Sequence, residues 1–372
     1  MKVRAVVLEE VGRTRPFATS RPLTVAEVEL HDPGPGELLV RVAAAGVCHS
    51  DLSVVDGNRP RPVPLVLGHE AAGVVEAVGA GVADVSLGDH VVLTFVPSCG
   101  TCATCTAGQP TLCEAASAAN AEGRLLSGGR RFRRNGVELH HHLGVSAFAE
   151  RTVVARSSAV VVPPDIPLDV AALLGCATVT GVGAVLNTAQ VPAGASVAVF
   201  GLGGVGLAAV LGAALAGALP LAAVDPVEEK RSLALELGAT HAFTPHEAVE
   251  AIRLLTGGGA AYVFEAAGHP AVLSAAYAAT GRGGTTVTMG LPHPDAEVTL
   301  NALSLVAEAR TLVGSYMGSS VPQRDIPAYA ALWRAGRLPV DRLKTRELRL
   351  DEANEAMDAL AGGEVVRQLL RP

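Results

Sequence analysis

SVAVFGLGGVGLAAVLGAALAGALPLAAVD, residues 196–225, reads as strand, glycine turn, helix and strand in that order. SVAVF (196–200) is a short apolar run of the kind buried in a parallel sheet. Glycines follow it at 201, 203, 204 and 206, and an uninterrupted apolar segment then predicts a helix over 204–217. Gly201 permits a tight turn, Gly203 admits a pyrophosphate to the backbone, and Gly206 brings helix and strand together. Gly204 and Val205 of the same turn belong to the expected cofactor-binding residues. LAAVD (221–225) is a second strand. It ends in Asp225, about twenty residues past the turn, where a carboxylate holds the adenine-ribose hydroxyls of NAD. A bare Ala/Gly-rich buried helix explains the glycines but not the acid at that distance. The segment therefore predicts a dinucleotide site.

Working outward, the alternation continues. Glu228–Leu237 reads as a helix; YVFEAAG (262–268), GGTTVTMG (283–290) and TLVGSYM (311–317) continue the strand series. Strand and helix in turn imply a doubly wound parallel sheet. Upstream of Pro163-Pro164 the pattern differs. LLVRVAAAGV (38–47), AAGVVEAVG (71–79) and DHVVLTFV (89–96) are short strands between Gly and Pro clusters, an all-β pattern. Leu168–Leu174 and Thr180–Thr188 read as helical. Residues 115–142 are polar and rich in Gly and Arg, and predict a surface excursion. The end, from about Pro322, reads as helical with charged faces. The chain of 372 residues thus divides into two domains, 1–177 with 321–372 and 178–320.

Apolar residues make up 49%, which excludes intrinsic disorder. The net charge of −7, with 29 basic and 36 acidic residues, argues against a general nucleic-acid binder. No charge occurs between Val170 and Val224, and 197–224 is long enough to cross a bilayer. Pro192, Gly194, the glycines of the turn and Pro220 cut that region into pieces, so buried strand and helix are expected rather than a membrane span. The start, MKVRAVVLEE, shows no secretory signal, and a cytoplasmic protein is expected.

Cys99, Cys102, Cys105 and Cys113 form C-x2-C-x2-C-x7-C. Four thiolates on one turn-rich loop satisfy a tetrahedral zinc completely, so this site would be structural. Two cysteines remain, Cys48 in Cys48-His49-Ser50-Asp51 and Cys176 after Leu174-Gly175. With His69 of Gly68-His69-Glu70 they make a three-ligand set whose fourth position is open, as a catalytic zinc requires. Their spacing is no guide to their proximity. Each could also be an ordinary buried side chain.

Taken together, CHSD, GHE, the four-cysteine loop, GC at 175–176, GLGGVG and VDPVEEK resemble the zinc-dependent alcohol dehydrogenases of the medium-chain dehydrogenase/reductase superfamily. The length, 115–142 and HHLGVSAFAERTVV are most similar to its longer branch, with the class I and class III enzymes. The resemblance implies a GroES-like β-rich catalytic domain, a Rossmann NAD-binding domain, and an active site in the cleft between them. It implies that Cys48, His69 and Cys176 ligate the catalytic zinc. Asp51 would orient His69, Glu70 would lie behind the metal, and Ser50 would take the alcohol proton. His49 and Arg367 would sit near the pyrophosphate, and Lys230 would join Asp225 at the ribose. Phe95, His142, Leu143, Leu291, Tyr316 and Met317 would line the substrate pocket.

Two positions depart from relatives. A relay histidine five residues after the first zinc cysteine is replaced by Ser53. The acidic residues that follow Gly57 in the glutathione-dependent branch are replaced by Asn58 and Arg59. The expected activity is oxidation of primary or aromatic alcohols with NAD and two zinc ions per subunit, in a homodimer that meets near Thr311–Met317. A glutathione- or mycothiol-linked formaldehyde dehydrogenase is the alternative on the same fold. A non-catalytic NAD-binding, zinc-stabilised interaction protein is the alternative of another class. Arg124, Arg130, Arg131, Arg133 and Arg134 read either as a docking patch for an anionic carrier or as a solvated loop.

Overall fold

The computed structural model describes residues 1–372. Its contacts divide the chain into two compact units: Met1–Cys176 with Val321–Arg334 and Lys344–Pro372, and Ala177–Ser320 with Ala335–Leu343. Residues 335–343, assigned above to the first domain, belong to the second. There the short helix Val340–Leu343 packs on the helix Gly204–Ala216, and Arg342 pairs with Glu236.

The first unit is β-rich. Strands Lys2–Leu8, Leu23–Leu30, Phe132–Arg134, Val137–His141 and Leu65–Val66 close into a barrel. A second sheet runs in the order Ala159–Val162, His90–Leu93, Ala71–Val78, Glu37–Val47, Arg367–Arg371, Lys344–Arg349, with Arg151–Ala155 also paired to Glu37–Val47. Two expectations fail here. The segment 115–142 is more than a surface excursion: it supplies two barrel strands, and Leu125, Phe132 and Leu139 from it are fully buried in the core. The chain end is not wholly helical either. RQLLR (367–371) is a strand paired antiparallel to 45–47, because Gln368, Leu369 and Leu370 are all buried.

The second unit is a six-stranded parallel sheet in the order His241–Phe243, Leu221–Val224, Val197–Phe200, Ala260–Glu265, Thr280–Thr288, Thr311–Gly314. By position along the chain this is 3-2-1-4-5-6, the Rossmann order. The strand order reverses between Val197–Phe200 and Ala260–Glu265, and the glycine turn leaves the first of these at that point. Gly201 has φ of +86°, and a Cβ there would lie 2.9 Å from the Ala267 nitrogen. A Cβ on Gly206 would strike the Gly201 carbonyl, so any side chain would push helix Gly204–Ala216 off its strand.

The helical run Leu168–Thr188 is long and apolar enough to cross a membrane, yet 89% of its most apolar window is buried inside the protein. Cys176 sits in a π-helical turn of that run, Leu174–Thr178. Such turns widen the helix locally and re-aim a side chain.

Candidate active site

Cys48 precedes the short helix His49–Val55, and Asp51 stands in its first turn. One carboxylate oxygen of Asp51 accepts the Cys48 backbone N–H at 3.1 Å, and the other lies 3.0 Å from His69 Nδ1. A single side chain thus caps the helix and orients the imidazole. His69, held between strands Leu65–Val66 and Ala71–Val78, is fully buried, and its Nε2 lies 3.5 Å from Cys176 Sγ. The donor atoms of Cys48, His69, Glu70 and Cys176 all fall within 4.8 Å of one another.

These donors fit a zinc ion. Zinc–sulfur and zinc–nitrogen bonds of about 2.3 and 2.05 Å at a tetrahedral angle set a sulfur–nitrogen edge of roughly 3.6 Å, close to the separation found. Without a metal the cluster shares its protons unevenly, and zinc would have to displace those on His69 and Cys176. The Cys176 thiol hydrogen-bonds Cys48 and holds it well below the usual thiol range, and the same contact pushes Cys176 well above it. Burial pushes the His69 imidazole down, but Asp51 outweighs burial and lifts it to about 10. Burial pushes the Asp51 carboxyl up, but His69 and His142 beside it hold it well below the usual carboxylate range.

Glu70 is completely buried and forms an ion pair with the buried guanidinium of Arg367. Arg367 begins the strand Arg367–Arg371 and reaches this carboxylate past the strand Glu37–Val47, which lies between Arg367–Arg371 and Ala71–Val78. Ser50 is half-buried and His49 exposed. Ser53 is buried, and its hydroxyl donates to the Ser50 carbonyl at 3.0 Å. Phe95 stands edge-on to His69 with centroids 5.2 Å apart. His142 and Leu143 are buried, and the His142 ring lies 5.6 Å from that of His69. In the second unit Met317 is buried, whereas Leu291 and Tyr316 are exposed.

The four-cysteine loop closes on itself. All four sulfurs lie within 4.8 Å, and Cys102 and Cys113 are 3.9 Å apart, against about 3.8 Å for the edge of a zinc tetrathiolate. Backbone N–H groups of Cys99 and Cys102 point at sulfurs, as they do around thiolates. The Thr104 hydroxyl draws Cys102 down to about 6, and burial pushes Cys105 up to about 12.

At the sheet's reversal point Asp225 accepts the N–H of Leu202 at 2.7 Å and of Val227 at 2.9 Å, tying the glycine turn to the next strand. Lys230 is half-buried on the following helix. Sequence reasoning passed over Glu265. It is buried at the end of Ala260–Glu265 and accepts the N–H groups of Ala267 and Gly268 and the Thr288 hydroxyl. A lone acid closing an apolar strand, as in YVFEAAG, was the signal. The arginines of 124–134 each pair with an acid: Arg124 with Glu122, Arg130 and Arg133 with Glu138, Arg131 with Glu37, and Arg134 with Glu9.

The profile of the alcohol dehydrogenase GroES-like domain matches residues 34–164, and that of the zinc-binding dehydrogenase domain matches 204–334. The geraniol dehydrogenase of Castellaniella defragrans is 41% identical over 375 residues, covering all of this chain and 98% of its own. The NDMA-dependent alcohol dehydrogenase of Amycolatopsis methanolica is 39% identical over 375 residues, covering 100% of this chain and 99% of its own. The crystal structure of benzyl alcohol dehydrogenase from Acinetobacter calcoaceticus superimposes with a TM-score of 0.93 at 31% identity, covering 100% of this chain and 99% of that one.

Proposed function

Since the chain belongs to the zinc-dependent alcohol dehydrogenases of the medium-chain dehydrogenase/reductase superfamily, we propose that it oxidises primary or aromatic alcohols to aldehydes, and the reverse, with NAD and two zinc ions per subunit. The observation that carries this is the buried Cys48, His69 and Cys176 set with Asp51 behind the imidazole. Three donors of that kind hold a metal and leave it a substrate position.

Bound zinc supplies Lewis-acid polarisation of the alcohol oxygen, and bound nicotinamide supplies the hydride acceptor. The chain does the rest. Asp51 fixes His69 so that Nε2 faces the sulfurs. Ser50 Oγ would accept the hydroxyl proton of the substrate while releasing its own, as hydride leaves the substrate carbon. Ser53 commits its own hydroxyl to a carbonyl, so the proton goes on to water. Phe95 and Leu143 give apolar walls, which suit an alcohol with a hydrocarbon body better than a polyol. Geraniol and benzyl alcohol, named for two relatives, are primary alcohols beside a π-system. Asp225 favours NAD, because its carboxylate would repel a 2′-phosphate. With six cysteines all placed as ligands, a reducing cytoplasm suits the chain. The partner is a second copy, meeting along the edge strand Thr311–Gly314.

The test is NADH formation over a panel of primary, aromatic and polyhydroxy alcohols, with and without glutathione or mycothiol, beside metal analysis. Two zincs per chain and thiol-independent turnover of primary or aromatic alcohols are expected. A polyol as best substrate, or an absolute thiol requirement, overturns the assignment.

A further inference from the structure

The Asp51 oxygen that faces His69 faces a second imidazole. His142 Nε2 lies 3.3 Å from Asp51 Oδ1, and the His142 ring stands edge-on to the His69 ring at 5.6 Å. All three side chains are buried, with His142 at 1% exposure. His142 is itself held from behind: its backbone N–H donates to Ser146 Oγ at 2.8 Å, and that hydroxyl donates to the Val66 carbonyl at 2.8 Å. The chain thus anchors this imidazole to the strand Leu65–Val66, just before His69.

We propose that His142 is a positioning residue for the catalytic zinc, presenting an N–H on Nε2 to Asp51 so that the shared carboxylate keeps His69 turned toward Cys176. Asp51 has two jobs at its other contacts: one oxygen caps the Cys48 helix and the other orients His69. A carboxylate oxygen that accepts from His69 and is also drawn by the N–H dipole of a second imidazole rotates less than one with His69 alone, so the imidazole it orients also rotates less. Apolar neighbours could fill the same space but could not restrain the carboxylate. The contact at 3.3 Å is longer than that to His69 and lies off the hydrogen-bond line, so its pull on the carboxylate is the weaker of the two.

This rests on Cys48, His69 and Cys176 being zinc ligands, and the experiment separates the two claims. Zinc-loaded wild type, His142→Phe and His142→Gln are exposed to a chelator, and both zincs per chain are followed by metal analysis, with thermal melting alongside. Phe keeps a buried ring without the donor; Gln keeps an N–H near Nε2. His142→Phe should lose the catalytic zinc about 3- to 10-fold faster than wild type, below the roughly 10- to 100-fold typical when a ligand's direct partner is removed. The four-cysteine zinc should leave at the wild-type rate, and His142→Gln should return to within about twofold of wild type. If His142→Phe does not fold, His142→Leu takes its place. Loss at the wild-type rate in the donorless variant overturns the inference. So does equal loss in the donorless and Gln variants, since that marks packing alone. A wild type with no zinc at Cys48, His69 and Cys176 overturns the enzyme assignment as well.

Discussion

Ser50 and Ser53 lie three residues apart on the helix His49–Val55, and their hydroxyls are differently placed. Ser53 is buried and donates to the Ser50 carbonyl, whereas Ser50 is only half-buried two residues from Cys48. Ser50→Ala should therefore lower kcat by about 100-fold, the low end for a positioned proton acceptor, with Ser53→Ala within a few-fold of wild type. Steady-state kinetics with matched melting curves checks this, and equal effects of the two would defeat the role given to Ser50. Asp225 carries a second expectation at this scale. Asp225→Gly should shift the NAD-over-NADP ratio of kcat/KM by about tenfold toward NADP, or ~1.4 kcal/mol. Because Asp225 also ties Leu202 and Val227, activity with NAD should fall too. A wild type that prefers NADP would contradict the assignment. Some of these residues were legible and others were not, for a physical reason. The four loop cysteines are neighbours in the chain, so their spacing alone implied a cluster. Cys48, His69 and Cys176 are brought together by a helix cap, a strand junction and a π-turn. None of these leaves a period in the sequence, and only the resemblance joined them. The contact of His142 with Asp51 crosses from one barrel strand's end to a helix start, and the sequence around it shows only three successive histidines, His140 to His142.

Among elements, the glycine turn with its flanking strands was the most legible, because turn chemistry, apolar run and terminal acid all point to one structure. The strand His241–Phe243 was not, since it is short, only half-buried and at the sheet edge, so its pattern carries little hydrophobic signal. The strands Phe132–Arg134 and Val137–His141 were hidden for a similar reason: the charged residues around them mask two buried apolar side chains, Phe132 and Leu139. One of these strands carries a pH-dependent stability term. His141 is buried, and its Nε2 accepts the Arg131 backbone N–H at 3.1 Å, so it must be neutral there. Burial, aided by the nearby arginines, lowers it from 6.5 to about 3. Below about pH 6.5 the unfolded chain takes up this proton and the folded chain does not, so stability is full above that pH and falls toward pH 3. The slope for one proton is about 1.4 kcal/mol per pH unit. His141→Gln keeps an acceptor for Arg131 and removes the titration. Urea midpoints between pH 7 and 4.5 should fall less steeply for the variant than for wild type, and parallel slopes would show that His141 does not titrate this way.

At the scale of the whole molecule, composition and alternation located two units, but the exchange of residues 335–343 between them depends on packing that no composition shift marks. The same scale raises the question of what covers the apolar side chains the second unit leaves in solvent. On the short helix Ala302–Ala307, Leu303 and Val306 are 72% and 83% exposed, three residues apart and so on one face. Beside it in sequence, Thr311–Gly314 is the sheet's edge strand, bonded on one side only to Thr280–Thr288. An open strand edge and an adjoining apolar face invite association, and a second copy of the chain meeting it about a twofold axis would cover both. Light scattering at micromolar protein should give about twice 37.7 kDa. Leu303→Glu with Val306→Glu places two charges on each side of that contact, four where the copies meet, and should return the monomer mass. Both positions are exposed in the single chain, so the substitution should leave its own core intact. Retention of the four-cysteine zinc in the double variant would confirm that the fold survives. A wild-type monomer, or a double variant that remains dimeric, would place the contact elsewhere on the molecule.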